Sequence, residues 1–243
     1  MEKIIDNLRE ELRKQSDEKN RKAQQNFFKE EVKFYGVKNP QVHKISQEFA
    51  PYVRAMNKQE VFGLCEILWQ SGYMEESLVA CNWSYYFRRK YKPEDFEIFE
   101  RWINNYVSNW ASCDTFCNHN IGDFIMMYPQ FLANLKEFAK SPNRWMRRAA
   151  AVSLIVPARK GLFINDILEI AGILLFDKDD LVQKGYGWML KAASEAHQNI
   201  IFDFVMKNKQ NMPRTALRYA IEKMPEEMKE AAMIRCESLI VIE

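Results

Sequence analysis

The chain has 243 residues, of which 47% are hydrophobic and 28% charged, a composition that describes a globular protein with enough chain for a sizeable core. Eight glycines and eight prolines are few for this length, which argues against a β-fold with many turns and for long helices. The net charge is only +2, so any face for a polyanion must come from segregation of charge and not from bulk excess.

Helical periodicity runs through the sequence from its first residues. Residues 1–22 place Ile4, Ile5, Leu8 and Leu12 on one stripe with charges elsewhere, which is an amphipathic helix and not an apolar secretion signal. A second helix is expected over 24–35, carrying Phe27, Phe28, Val32, Phe34 and Tyr35 and stopped by Gly36. Pro40 opens a third, to Tyr52, with Val42, Ile45 and Phe49 as its apolar face. The next spans 57–70, turning Val61, Leu64 and Leu68 inward before Gly72. A helix over 74–91 is rich in aromatics; Trp83, Tyr85, Tyr86 and Phe87 read as core between helices and not as a stacking platform. Further helices are expected over 93–106, 110–127, 129–140 and 143–156, the last capped by Asn143. The spans 164–176 and 180–197 make a pair, and 200–207, 213–223 and 225–238 end the chain.

The predicted fold class is therefore all-α, with about twelve to fourteen helices joined by short loops. Helix–turn–helix units recur every ~35–45 residues, which predicts a HEAT-like α-solenoid of antiparallel helix pairs. The repeats are divergent. One domain is expected over residues 1–243, with a concave face on which a duplex or a peptide would lie. No apolar run approaches the ~18 residues of a membrane span; the longest, 164–176, is broken by Asn165, Asp166 and Glu169. Five cysteines, Cys65, Cys81, Cys113, Cys117 and Cys236, are an odd number, and a reducing cytoplasm is the expected location. Cys113, Cys117 and His119 have the spacing C-x3-C-x-H, which is not a standard zinc pattern and lacks a fourth ligand nearby. Buried free thiols are the expected state, and no metal or cofactor is expected. No P-loop, dinucleotide-binding glycine pattern, H-E-x-x-H or G-x-S-x-G occurs.

One stretch, 109–151, concentrates unusual chemistry. Trp110 and Asp114 are four apart and share a helix face, which sets an indole beside a carboxylate. After the break at Ser141-Pro142-Asn143 comes Arg144-Trp145-Met146-Arg147-Arg148. Cations, aromatic planes and one acid suit a polyanion bearing a cationic target. Adjacent helical residues diverge by ~100°, so one of Arg147 and Arg148 is expected to face such a partner. Lys184, Lys191, Arg214 and Arg218 are further candidates for phosphate contact; ordinary surface charge is the alternative for each.

Four motifs in order carry a resemblance: W-x-x-x-D at Trp110 and Asp114; Gly122-Asp123-Phe124; W-x-x-R-A-A from Trp145 through Arg148 to Ala150; and V-Q-K-G-x-G-W-x-L from Val182 to Leu190. Together they resemble the AlkD-type DNA alkylation repair proteins, over about 27–222. The resemblance implies a HEAT-like solenoid cradling duplex DNA. It also implies hydrolytic release of cationic N3- or N7-alkylated purines, such as 3-methyladenine and 7-methylguanine, read from outside the base stack. By the same resemblance Trp110, Asp114 and Arg148 match the catalytic face, and Trp188 a further aromatic at the DNA surface. Where family members can carry a tyrosine, this chain has Phe27, whose ring can stack but has no hydroxyl for a phosphate. The expected DNA-binding set is Trp188, Phe27, Arg147, Lys184, Arg214 and Arg218. The expected partner is double-stranded DNA containing alkylated bases, bound by a monomer with no membrane involved. Two other readings stand beside this one: a HEAT-repeat module that holds damaged or branched DNA without chemistry, and a protein-interaction scaffold.

Overall fold

The computed structural model describes residues 2–234. Among them are sixteen α-helices, two 3₁₀ turns and one π turn, no strand, and a single isolated bridge between Lys33 and Tyr73. No described helix is long and apolar enough to cross a membrane. The chain divides into two compact units, Met1–Tyr128 and Pro129–Glu243.

The first unit contains α1 (Glu2–Lys14), α2 (Glu18–Gln25), α3 (Asn39–Glu48), α4 (Ala50–Arg54), α5 (Lys58–Gln70), α6 (Met74–Tyr85), α7 (Asp95–Tyr106), α8 (Trp110–Phe116) and α9 (Gly122–Met127). Its core is aromatic. Phe99 is fully buried and meets Trp102, Phe116 and Phe124 with ring centroids 5.9, 5.5 and 5.7 Å away. Edge-to-face and tilted pairs of this kind add about 0.5–1.5 kcal/mol each beyond the area they bury. Trp83 and Phe87 are buried, as the sequence suggests, whereas Tyr85 and Tyr86 are half-buried.

The helix expected over 24–35 does not form. α2 ends at Gln25, and 28–38 runs without helix. Two side chains take the amide groups that a helix would have used. The Gln25 carboxamide oxygen accepts from Val32 N at 3.1 Å. The buried Glu75 carboxylate accepts from the amides of Tyr35, Gly36 and Val37 at 3.1, 2.8 and 3.0 Å. The segment buries Val32 and Phe34 and exposes Glu31 and Lys33, a period of two. Gly36 is not a helix stop. Its φ is +92°, and a Cβ there would lie 2.3 Å from the carbonyl oxygen of Asp17, the N-cap of α2. Only glycine allows this approach.

The second unit contains α10 (Leu132–Phe138), α11 (Arg144–Val152), α12 (Ile155–Arg159), α13 (Ile164–Ile173), α14 (Asp180–Asn208), α15 (Arg214–Ile221) and α16 (Glu226–Met233). α14 is central and packs on α11, α12, α13 and α15. It spans both segments expected over 180–197 and 200–207, and it kinks at His197 (φ −132°, ψ 51°), where a ring nitrogen bonds the Gly161 carbonyl at 2.9 Å. The last expected helix, 225–238, is described as far as Met233; its remainder and Cys236 lie outside the described residues.

Candidate nucleic-acid interface

α8 carries the tryptophan and the acid. Asn109 caps it, its side chain accepting from Ser112 N at 2.9 Å, which places Trp110 at the first helical position. Asp114 follows one turn later. Both residues are half-buried, so each offers part of its side chain to a partner. The Trp110 indole N–H donates to the Phe27 carbonyl at 3.3 Å. The Phe28 ring stacks on the indole, with centroids 5.3 Å apart and planes 19° apart. Phe27 itself is 74% exposed. Trp110 thus meets the Phe27 backbone and the Phe28 ring in the first unit, with Asp114 one turn along the same helix. Phe28 belongs there too, although the helical periodicity of the sequence places it on an apolar face.

Immediately after α8 the helix widens into a π turn, Cys117–Ile121. Such turns rotate everything that follows, and they are frequent at functional sites. Asn120 explains the anchoring of this one. Fully buried, its amide donates to Ser84 Oγ at 2.7 Å and Tyr91 Oη at 3.0 Å. Beyond the turn, the Asp123 carboxylate accepts from the Tyr85 hydroxyl at 2.8 Å. Burial, with that carboxylate beside it, holds the Tyr85 hydroxyl above its ordinary pKa. Cys113 and Cys117 are fully buried whereas His119 is exposed, and no group of three metal-ligating side chains occurs among the described residues. Burial also pushes the Cys65 and Cys81 thiols up, which makes them poor nucleophiles.

In the second unit the arginines are committed to neighbours. Arg144 pairs with Asp179 at 2.8 Å and lies over the buried Trp145 ring, 5.0 Å from its centroid. Arg147 pairs with Asp177 at 2.6 Å and donates to the carbonyls of Ser141 and Pro142. Arg148 is 5% exposed and donates to the Leu181 carbonyl. The cationic cluster read from the sequence is therefore largely balanced by Asp177 and Asp179, and Trp145 is core.

Arg148 packs against Gly185, where a Cβ would stand at ordinary contact distance, 3.4 Å from Arg148 Cγ and 3.6 Å from Val152 Cγ1. At Gly187 a Cβ would fall 2.7 Å from Tyr219 Cβ and 2.8 Å from the Ala216 carbonyl, so this glycine lets α15 lie against α14. Trp188, next in the chain, is half-buried. Among the remaining candidates, Lys184 pairs with Asp180 at 3.4 Å, Lys191 with Glu222 at 2.9 Å, and Arg214 donates to the Met233 carbonyl. Arg218 is exposed.

Comparison with known proteins agrees with the motifs. No curated protein matches the chain. Among solved structures it is similar to a predicted DNA alkylation repair enzyme from Enterococcus faecalis, at 16% identity and a TM-score of 0.78, over 87% of this chain and 98% of that one. At that identity the likeness shows a shared all-helical fold. A family model described as DNA alkylation repair enzyme matches residues 8–224. With that match spanning most of its length, the chain belongs to the DNA alkylation repair enzyme family.

Proposed function

We propose that this protein is a monofunctional DNA glycosylase that excises cationic N3- and N7-alkylated purines from duplex DNA. The observation that carries the reading is the pairing of Trp110 and Asp114 one helical turn apart, both accessible, beside the exposed Phe27. Breaking the bond between deoxyribose C1′ and an alkylated purine builds positive charge on the sugar. The base is already cationic, so the bonding pair returns to it and it leaves neutral without a general acid. Asp114 stabilises the sugar cation and orients the water that adds to C1′. Trp110 and Trp188 offer π-faces to cationic sugar or base, worth ~0.5–2 kcal/mol each.

The proposal takes the chain as a single HEAT-like domain over 1–243, a monomer that binds the duplex with Trp110 and Asp114 at the damaged nucleotide. Phe27, Lys184, Arg214 and Arg218 contact the DNA, whereas Arg148, buried on the Leu181 carbonyl, and Arg147, paired with Asp177, reach a phosphate only by giving up those partners. The reaction uses no metal and no cofactor, and the cytoplasm is its place. The test is release of free 7-methylguanine or 3-methyladenine from methylated duplex DNA. The expected result is release that chelator leaves unchanged, with no release of uracil, a neutral base whose departure needs help this site does not offer. No release of either purine at saturating protein would overturn the reading and leave a non-catalytic DNA-binding module.

A further inference from the structure

The first unit holds a cleft of about 640 Å³ beside the loop that presents Phe27 and Phe28. Arg21, Lys22, Lys29 and Lys33 line it, with Glu31 as the one carboxylate among its walls and Phe34 on its floor. Cations gathered on one concave surface favour a polyanion, which releases its own counterions on binding. We infer that this cleft is a phosphate-binding subsite that takes the sugar–phosphate backbone of the DNA whose lesion lies at Trp110. The inference rests on the DNA-acting reading above.

Two features distinguish the cleft from scattered surface lysines. The first is that it is built. Gln25, at the end of α2, donates to the Glu30 carbonyl at 2.7 Å and accepts from Val32 N at 3.1 Å. It thereby folds the loop back, so that Lys29 and Lys33 share one cleft with Arg21 and Lys22 of α2. The second is continuity with the site. Phe34 contacts Phe28 with ring centroids 5.6 Å apart, and Phe28 stacks on Trp110. Two ring contacts thus join the cleft to the indole within the first unit. Glu18 does not cancel the charge. It is shared between Arg21 at 2.8 Å and Lys22 at 3.7 Å, all three side chains being exposed, and such pairs hold weakly enough to give way to phosphate.

The experiment is the salt dependence of duplex binding by wild type and by the double variant Lys22→Gln/Lys33→Gln. Both lysines are exposed, and glutamine keeps most of the stem. The slope of log affinity against log salt should become shallower by about one to two, at ~0.9 for each phosphate no longer neutralised. It should do so equally on undamaged and methylated duplexes, and Lys22→Arg/Lys33→Arg should keep the wild-type slope. An unaltered slope in the glutamine variant with an unaltered melting temperature would overturn the inference. If wild type releases base but the slope does not move, the cleft fails and the glycosylase reading stands. If wild type releases no base but the slope falls, the reverse holds.

Discussion

Trp110 and Asp114 lie half-buried on a short helix, against a loop that abandons helical form and ahead of a turn that widens. Arg148 lies at 5% exposure in the second unit, donating to the Leu181 carbonyl and packed against Gly185. All three are motif residues, yet the first two are presented and the third is enclosed. The contrast matters for mutagenesis. Where a side chain is presented, its removal can cost function while the fold survives. Where it is enclosed, lost binding and lost packing arrive together.

The largest stability effect should come from Arg148→Ala. It leaves the Leu181 carbonyl short of a donor and a void beside Gly185, at a cost of about 2–4 kcal/mol. A thermal melt should show a drop of several degrees. A midpoint equal to wild type would mean that the fold does not hold Arg148, and the contrast between the two regions would dissolve. Gly187→Ala comes next, because the new methyl meets Tyr219 and the backbone of Ala216 below 3.0 Å. Overpacking of that kind costs about 1–3 kcal/mol, readable in denaturant midpoint at unchanged m-value. Trp110→Ala should cost about 1–2 kcal/mol of stability, for the missing stack on Phe28 and the apolar area that the half-buried indole gives up, while base release falls more than stability does. Equal loss in both would place Trp110 with the enclosed group. The smallest effect is expected for Phe27→Tyr. At 74% exposure it should move stability by less than about 0.5 kcal/mol. If the new hydroxyl reaches a phosphate, duplex affinity rises by up to about tenfold, a gain of ~0.5–1.5 kcal/mol.

Much of this is legible in the residues. Long helical periodicity and few glycines point to the all-helical class, and even the break near His197 marks a real kink. The ordered motifs point to the family that the comparison establishes. What stays hidden depends on partners far away in sequence. The apolar spacing of 24–35 fits a helix, and Glu75, about forty residues on, draws the amides of Tyr35, Gly36 and Val37 into an extended path. Helical spacing therefore sends Phe28 to a core face, and it gives no view of the cleft between Arg21 and Lys33. The paired lysines around the Phe27-Phe28 doublet are its one visible trace. Likewise Asp177 and Asp179 neutralise Arg147 and Arg144 across some thirty residues, and no local pattern announces that.

On the proposed reading, the acid presented on α8 performs chemistry separable from DNA binding. Single-turnover release of 7-methylguanine at saturating protein, measured for wild type and Asp114→Asn together with duplex affinity, tests it most directly. Asparagine keeps the shape of the side chain and removes its charge. Affinity should hold while release slows by roughly 10²–10³-fold, the scale of other preorganised electrostatic contacts, with residual activity because the leaving base is already cationic. Equal rates for the two proteins would contradict the account.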